Sequence, residues 1–317
     1  MKALFPNIHC RKTSLNLRFN ASNLRLYTIT PLLNTRIFLI IAVSLLCSCT
    51  SPLNQYNNLA SDFSFVQSKV ETNLFRHVYF SNSAVSSIKS HQALHIYLEG
   101  DGTPWINGKW IATDPTPRKP VMLELMRLDN SPAILLGRPC YHINIEGQNC
   151  DPDDWTTGRY STQVITSMVG AINILQQQLG FSEVVLFGHS GGGVIALLIA
   201  NLLQQETARA TTVVTLASNV DTDAWADSHG YLPLERSLNP ALLPALPAST
   251  HVFHLFGEND KVVDAKLFEE YLSRRPNVQS IEYKGFDHSC CWNRVWPQIL
   301  ETTQALQNSP LKPAVNE

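Results

Sequence analysis

A serine, an aspartate and a histidine each follow a predicted strand in this chain. Ser190 comes first, and Asp260 and His288 follow two later strands. Side chains of these three types can carry nucleophilic catalysis. The histidine takes the serine proton during attack, and the aspartate fixes the imidazole tautomer and stabilises the imidazolium. We therefore predict that the three form one catalytic site, with Asp221, which follows another strand, as the rival acid.

The residues around Ser190 predict a sharp turn between a strand and a helix. The sequence at 188–192 is Gly-His-Ser-Gly-Gly, with an apolar, β-branched run at 184–187 before it and an apolar run at 193–200 after it. A G-x-S-x-G turn in this context lifts the hydroxyl above the sheet edge, and its small neighbours avoid clashes. The N–H of Gly191 then points at a developing oxyanion. The alternative is a glycine-rich helix start that binds an anion or nothing.

Strand and helix signals alternate from about residue 70 onward, which predicts an α/β protein with a doubly wound, mostly parallel sheet and helices on both faces. The predicted strands are 77–80, 95–98, 133–136, 184–187, 211–216, 252–256 and 280–283, and the predicted helices are 121–128, 162–179, 193–200, 265–272 and 293–306. Ser161 is the expected N-cap of the helix at 162–179. The stretch 218–250 is the expected small cap over the site.

The turn at 188–192 and the order Ser190, Asp260, His288 resemble the α/β-hydrolase superfamily over roughly residues 75–307. The resemblance implies the α/β-hydrolase fold and an oxyanion hole completed by the loop after the strand at 95–98. By position, the amide of Asp101 is the best second donor and that of Gly102 the next, beside Gly191. The family pattern is only partly met, because Glu99 stands where many lipases and esterases have histidine.

Other motifs narrow the resemblance without assigning a substrate. Residues 137–140, 158–161 and 237–240 resemble a group of exported bacterial α/β-hydrolases. Arg138 and Arg159 in these motifs either brace a loop or hold a carboxylate or phosphate group of a substrate. Trp105 and Trp110 either line the acyl or leaving-group pocket or pack in the protein.

The N-terminal region has the features of an export signal. A basic lead precedes the apolar run 37–46, which is too short to span a bilayer comfortably, and Leu46-Cys47-Ser48-Cys49 resembles a bacterial lipobox. This predicts a signal peptide with lipobox at 1–49, lipidation of Cys49, a tether at 50–70, a hydrolase domain at 71–309 and a tail at 310–317. The alternatives are an ordinary cleaved signal or a membrane anchor. We expect a bacterial envelope protein facing the periplasm from the outer membrane, or a secreted one.

Charge and cysteine usage agree with export. Residues 1–48 hold six of the 24 Lys and Arg and none of the 26 acidic residues, so the remainder carries a net charge of about −8 with His neutral, which opposes nucleic-acid binding. The four cysteines outside the leader allow three complete pairings. Because ten positions separate Cys140 from Cys150, we predict a disulfide between them. Cys290 and Cys291 are expected to be buried thiols, with a vicinal disulfide as the alternative.

These observations together predict a serine hydrolase that acts through an acyl-enzyme on a small ester, thioester or amide, with a carboxylic ester favoured. Two alternatives stay open: an acyltransferase with the same triad, and a non-catalytic envelope lipoprotein that retains the fold. The cysteine spacing is not a zinc pattern and no H-E-x-x-H occurs. We therefore expect no metal, no cofactor and no nucleic-acid partner.

Overall fold

The computed structural model describes residues 51–90, 92–145, 149–204, 209–275 and 278–308. The predicted signal peptide with Cys49 and the predicted tail at 310–317 lie outside the described residues. Within the described residues, none of the helices has the length and apolar character needed to cross a bilayer.

Ten strands and seven α-helices make up the described part of the chain. The strands are β1 (Val66–Glu71), β2 (Arg76–Ser81), β3 (Ala93–Leu98), β4 (Trp105–Ile106), β5 (Trp110–Ile111), β6 (Ala133–Leu136), β7 (Glu183–His189), β8 (Arg209–Leu216), β9 (His251–Gly257) and β10 (Val278–Tyr283). The helices are α1 (Pro52–Asp62), α2 (Val121–Met126), α3 (Thr162–Leu179), α4 (Gly191–Leu203), α5 (Thr222–His229), α6 (Glu269–Ser273) and α7 (Trp296–Asn308).

Eight strands form one sheet in the order β1-β2-β6-β3-β7-β8-β9-β10. β2 runs antiparallel to both of its neighbours, and all pairs from β6 through β10 are parallel. The predicted mostly parallel, doubly wound sheet is therefore confirmed. Parallel strands end at one common edge, so the loops after β3, β7, β9 and β10 meet there.

Helices cover both faces of the sheet. Successive side chains of β3 point to opposite faces, so Ile96 packs in the core beneath α3 and α4, whereas Tyr97 packs in the core beneath α1, α2 and α7. Every residue of β3 is buried. The central strands therefore form a rigid base for the loops at their carboxyl ends.

The helix α3 begins and ends where its local sequence predicts. Ser161 is its N-cap, and the Oγ of Ser161 accepts a hydrogen bond from Val164 N at 3.3 Å. Gly180 ends the helix with a left-handed φ of 81°. Because α3 packs against the sheet through one apolar face, it fixes the segment just before it, residues 156–161, near the sheet edge.

The predicted tether at 50–70 is wrong for the residues that the structure describes. Residues 52–62 form α1, which is N-capped by Ser51 and buries Tyr56 and Ala60, and β1 pairs with β2 at the edge of the sheet. The polar composition of this stretch suggested a linker. It belongs instead to the exposed face of an amphipathic helix, which needs only a few buried side chains per turn.

The stretch between β8 and β9 forms the expected small cap. It contains α5 and a single turn of 3-10 helix at Pro240–Leu242, joined by irregular backbone. Trp225 of α5 contacts the opposite loop, since its Nε1 donates to Val262 O at 2.8 Å. The cap therefore meets the loop after β9 beside the carboxyl edge of the sheet.

Candidate active site

Ser190 occupies a strained turn between β7 and α4. Its φ of 51° and ψ of −126° lie in a region that residues other than glycine rarely adopt. The turn is tied to the next strand, because Ser190 N donates to Leu216 O at 2.8 Å. A Cβ on Gly188 would lie 2.3 Å from Gly192 O, so the turn requires glycine there. This is the geometry of the predicted nucleophile elbow.

The structure brings Ser190, His288 and Asp260 into one hydrogen-bonded chain. The Oγ of Ser190 lies 3.2 Å from His288 Nε2, and His288 Nδ1 lies 2.8 Å from Asp260 Oδ2. The other carboxylate oxygen of Asp260 accepts from the backbone N–H groups of Val262 and Val263 at 2.8 and 3.0 Å. Because two backbone donors hold one oxygen of Asp260, the other is fixed to accept from Nδ1–H of His288, and this favours the tautomer in which Nε2 accepts from the serine.

Asp221, the rival acid, lies elsewhere and has a different contact pattern. It is the N-cap of α5, where its Oδ1 accepts hydrogen bonds from Asp223 N and Ala224 N. The same oxygen accepts from the amide of Asn239 at 2.9 Å. Asp221 therefore stabilises the start of a cap helix and does not contact His288.

His189 also belongs to the site, although the sequence analysis did not single it out. Its ring lies 4.9 Å from that of His288, centroid to centroid, and its Nε2 donates to the backbone oxygen of His288 at 2.7 Å. Burial lowers the pKa of His189 to about 4, and the nearby His288 adds to that effect. His189 is therefore neutral near pH 7, so it holds the backbone of His288 without competing with the imidazole of His288 for the serine proton. Its place beside Ser190 in the motif was the available signal.

The loop after β3 approaches the nucleophile closely. A Cβ on Gly100 would lie 3.3 Å from the Cβ of Ser190 and 3.2 Å from His189 Nδ1. Gly102 takes a left-handed φ of 67°, and a Cβ there would lie 2.1 Å from Pro115 O. The loop therefore passes close to the serine: Gly102 is required by its φ and by the backbone of Pro115, and a side chain on Gly100 would force Ser190 or His189 to shift slightly. Asp101 lies between them, where the sequence predicted the second oxyanion donor.

The side chain of Asp101 belongs to a largely buried ionic cluster at the edge of the cleft. Its carboxylate accepts from Arg138 Nη1 at 2.8 Å, Arg159 Nη1 at 2.9 Å and the Tyr160 hydroxyl at 2.8 and 2.9 Å. Burial alone would raise the pKa of Asp101, but the two guanidinium groups outweigh it and lower the pKa to about 2. Of the two interpretations of the arginines, the structure supports the bracing role, because the carboxylate they hold is the chain's own.

This cluster also holds the oxyanion loop against the elbow. Arg138 Nη2 donates to the backbone oxygen of Glu99 at 3.0 Å, and the hydroxyl of Tyr141 donates to the backbone oxygen of Asp101 at 2.8 Å. A Cβ on Gly191 would lie 1.9 Å from Asp101 Oδ1. The two predicted oxyanion donors, Asp101 N and Gly191 N, therefore belong to residues in direct contact, and Arg138 and Tyr141 hold the loop that carries Asp101.

A cleft of about 420 Å³ opens above Ser190 and His288. Its walls come from the loop after β3, residues 117–121, the cap and the loops after β9 and β10. Trp105 and Trp110 are not among the cleft-lining residues; they are 38% and 71% exposed on the short ribbon formed by β4 and β5. Of the two roles considered for these tryptophans, the structure therefore does not support pocket lining. In the described part of the chain, no cluster of three or more His, Cys, Asp or Glu side chains is arranged to hold a metal ion.

Two disulfides are present near the site. Cys140 and Cys150 are joined with their Cα atoms 5.8 Å apart, so the structure contains the predicted bridge in the loop after β6. Cys290 and Cys291 are also joined, which replaces the expected pair of buried thiols by the vicinal alternative. Cys291 takes a left-handed φ of 83°, a backbone conformation that the spacing of the cysteines did not predict.

Comparison with known proteins identifies the fold. Neither a protein-family model nor a curated protein matches the chain. Among solved structures, a bacterial membrane phospholipase A described as a virulence factor superposes with a TM-score of 0.54 at 13% identity, covering 88% of this chain and 99% of its own. A candidate lipase from Acinetobacter baumannii AYE gives 0.52 at 12% identity, with 83% and 99% covered. A candidate hydrolase from Agrobacterium vitis S4 gives 0.52 at 13% identity, with 77% and 98% covered.

The chain has the α/β-hydrolase fold, so the fold that the sequence resemblance implied is confirmed. At 12–13% identity the likeness establishes the fold and no more. A fold hosts many chemistries, so an activity must be argued from the side chains of the site.

Proposed function

We propose that this protein is a serine hydrolase that cleaves a carboxylic ester through an acyl-enzyme. The supporting observation is the hydrogen-bonded chain from Ser190 Oγ through His288 to Asp260, which opens on the cleft. The side chain of His288 is 21% exposed and that of Asp260 is fully buried. The base therefore reaches substrate from a position fixed by a carboxylate that solvent does not screen.

In the first half-reaction, Ser190 Oγ attacks the acyl carbonyl and its proton passes to His288 Nε2. The imidazolium is stabilised by Asp260 across the 2.8 Å hydrogen bond. The carbonyl oxygen becomes an oxyanion, which the amides of Gly191 and Asp101 stabilise. Collapse of the intermediate leaves the acyl group on Ser190, and the alcohol departs with the proton from His288.

In the second half-reaction, water enters from the open cleft and His288 takes its proton as the oxygen attacks the acyl-serine. The same two amides stabilise the second oxyanion. Collapse breaks the bond between the acyl carbon and Ser190 Oγ, and His288 returns the proton to that oxygen. The carboxylic acid leaves, and the enzyme regains its starting state.

The nucleophile is tested with a fluorophosphonate probe, which phosphonylates an activated serine. Wild-type protein should label and Ser190→Ala should not. Ser289→Ala is the matched control, because Ser289 lines the same cleft but the hydroxyl that contacts the imidazole of His288 is that of Ser190. Equal labelling of Ser190→Ala and wild type would contradict the proposal.

The reaction class is tested with p-nitrophenyl esters of increasing acyl length, with and without an added alcohol. A hydrolase releases free acid at a rate that the alcohol changes little, whereas an acyltransferase forms the new ester. Labelling of Ser190 without turnover of any ester, thioester or amide would contradict the hydrolase assignment.

We further propose that the protein is attached to the bacterial envelope through a lipid on Cys49. The support is the lipobox-like sequence 46–49 behind a basic lead and an apolar run. Cys49→Ser protein should accumulate as unprocessed precursor, as should wild type treated with globomycin. Normal processing and detergent partitioning of Cys49→Ser would exclude this attachment.

A further inference from the structure

An exposed apolar ribbon, residues 105–111, stands beside the cleft. Its strands β4 and β5 pair antiparallel, with Trp105 opposite Ile111 and Ile106 opposite Trp110. The four side chains are 38%, 42%, 40% and 71% exposed in that order. Opposite residues share a face of a ribbon and successive residues alternate, so each face carries one tryptophan and one isoleucine.

The ribbon has a defined conformation. Asn107 and Gly108 take φ values of 52° and 64°, the pair of left-handed residues that a tight hairpin turn requires. At the base, Ala112 N donates to Pro104 O at 2.9 Å. The ordered backbone therefore keeps four apolar side chains partly exposed side by side, and such a patch is typical of a binding element.

The apolar character of both faces indicates what the ribbon binds. A hairpin that packs on protein buries one face and turns a polar face to water. A protein surface covers one face of such a ribbon, whereas the outer layer of a bilayer surrounds both. Tryptophan also favours the membrane–water interface, because its ring is apolar and its N–H stays hydrogen-bonded.

The charges around the ribbon favour an anionic lipid surface. Lys109 lies at the turn of the ribbon, and Arg118 and Lys119 follow on the same loop; all three are exposed. The pKa of Asp287 is lowered by two backbone hydrogen bonds and then by Lys119, so Asp287 offsets part of that lysine's charge. Lysine and arginine beside a membrane gain roughly 1 kcal/mol each from anionic headgroups.

The acid within this loop does not cancel that charge at the ribbon. Asp114 is directed inward, where one carboxylate oxygen accepts from Leu53 N and the other from Thr116 N, each at 3.0 Å. The positive groups of the loop therefore outnumber its acids on the exposed side.

The ribbon is also joined to the cleft at both ends. Gly102 and Thr103 precede it and line the cleft, and residues 117–119 follow it and line the same cleft. Thr103 N donates to Pro115 O at 3.0 Å, which closes the loop beneath the ribbon. A surface that binds the ribbon is consequently adjacent to the mouth of the cleft.

We propose that the ribbon inserts into the surface of a bilayer containing anionic phospholipid and holds the mouth of the cleft at that surface. The insertion requires neither catalysis nor the lipid on Cys49. Its role would be to present the cleft to acyl groups that reside in the bilayer.

The test uses the full chain bound to vesicles of phosphatidylethanolamine and phosphatidylglycerol whose acyl chains carry bromine, which quenches tryptophan at short range. Trp155, Trp292 and Trp296 are at most 2% exposed and should be quenched little. Trp105→Phe/Trp110→Phe keeps the ribbon apolar and should lose most of the quenched emission.

Trp225→Phe is the matched control, because Trp225 is a half-buried cleft residue outside the ribbon, and it should keep the quenching of wild type. Lys109→Glu with Arg118→Glu should reduce quenching with phosphatidylglycerol present and change it little in pure phosphatidylcholine. Ser190→Ala should be quenched like wild type, which separates this proposal from the catalytic one.

Quenching that is absent from wild type, or unchanged in Trp105→Phe/Trp110→Phe, would overturn the proposal and leave a protein partner as the ligand of the ribbon. Turnover of a water-soluble ester should be the same in the ribbon variant and wild type, because neither tryptophan lines the cleft.

Discussion

Asp101→Asn removes the charge that two buried arginines share and keeps the size of the side chain. Arg138 and Arg159 would then be left without their anion, with side chains only 4% and 9% exposed. Leaving buried charges unpaired costs roughly 3–5 kcal/mol, so we expect the free energy of unfolding at neutral pH to fall by about that amount. We also expect kcat to fall, because Asp101 carries one predicted oxyanion donor and contacts the other.

The pKa of Asp101 supplies a second, pH-dependent signature. The pKa is about 2 in the folded protein against an ordinary 3.8, which corresponds to roughly 2–3 kcal/mol of stability at neutral pH. Because the folded pKa is depressed, this contribution is complete above about pH 5 and is lost as the pH falls through 4 towards 2. The stability gap between wild type and Asp101→Asn should therefore narrow by about 1 kcal/mol at pH 3.

Urea unfolding followed by tryptophan fluorescence at pH 7 and pH 3 measures both effects. Asp153→Asn is the matched control, because its partner Arg236 is 65% exposed and such surface pairs contribute about 1 kcal/mol or less. Equal losses in the two variants at pH 7, or a gap for Asp101→Asn that does not narrow at pH 3, would refute the assignment of the cluster as a buried clamp.

Three other changes separate roles within the site. Asp260→Asn should lower kcat by about 10⁴-fold, by analogy with serine proteases. Asp221→Asn should lower the free energy of unfolding by about 1 kcal/mol or less and leave kcat nearly unchanged. If ester turnover is instead crippled by Asp221→Asn and little changed by Asp260→Asn, Asp260 is excluded as the acid. Cys140→Ser/Cys150→Ser should lower the free energy of unfolding by about 2–3 kcal/mol while fluorophosphonate labelling persists, and an unchanged urea midpoint would contradict this. Burial raises the pKa of Glu99 from 4.5 to about 7, so its contribution to the stability of wild type should be lost as the pH rises from about 4.5 to 7. Glu99→Gln should lack that loss in urea titrations, and parallel pH curves for the two proteins would count against this.

The parts of the fold and site that follow from local pattern were predictable. Apolar runs, glycines and a capping serine indicated the central strands, α3 and the turn at Ser190. All strands of a parallel sheet end at one edge. Asp260 and His288, which each follow such a strand, were therefore expected beside Ser190. These predictions use information within about ten residues of each position.

The clamp on Asp101 was not predictable in the same way. Arg138, Arg159 and Tyr160 are 37 to 59 residues from Asp101 in sequence. The residues next to each of them do not indicate that their partner is a loop of the same protein. A substrate anion fits an arginine pair equally well until the sheet is assembled. The vicinal disulfide is similar, because joining neighbouring cysteines depends on backbone that the surrounding loop must impose.

The ribbon was missed although a local signal was present. Asn-Gly at 107–108 between apolar pairs is a strong indication of a hairpin. The two tryptophans were instead assigned to a pocket or to the protein interior, on the expectation that large apolar side chains are covered.

The position of His288 near the end of the chain has a consequence for when the proposed triad becomes complete. The base comes from the loop after β10, an edge strand whose partner in the sheet is β9, whereas the nucleophile follows the central strand β7. A chain that has emerged from the ribosome only as far as the loop after β9 has Ser190 and Asp260 but no His288. Catalytic competence is thus among the last properties that the chain acquires during N- to C-terminal emergence. If the proposed mechanism holds, an unfinished molecule lacks its general base and cannot hydrolyse an ester.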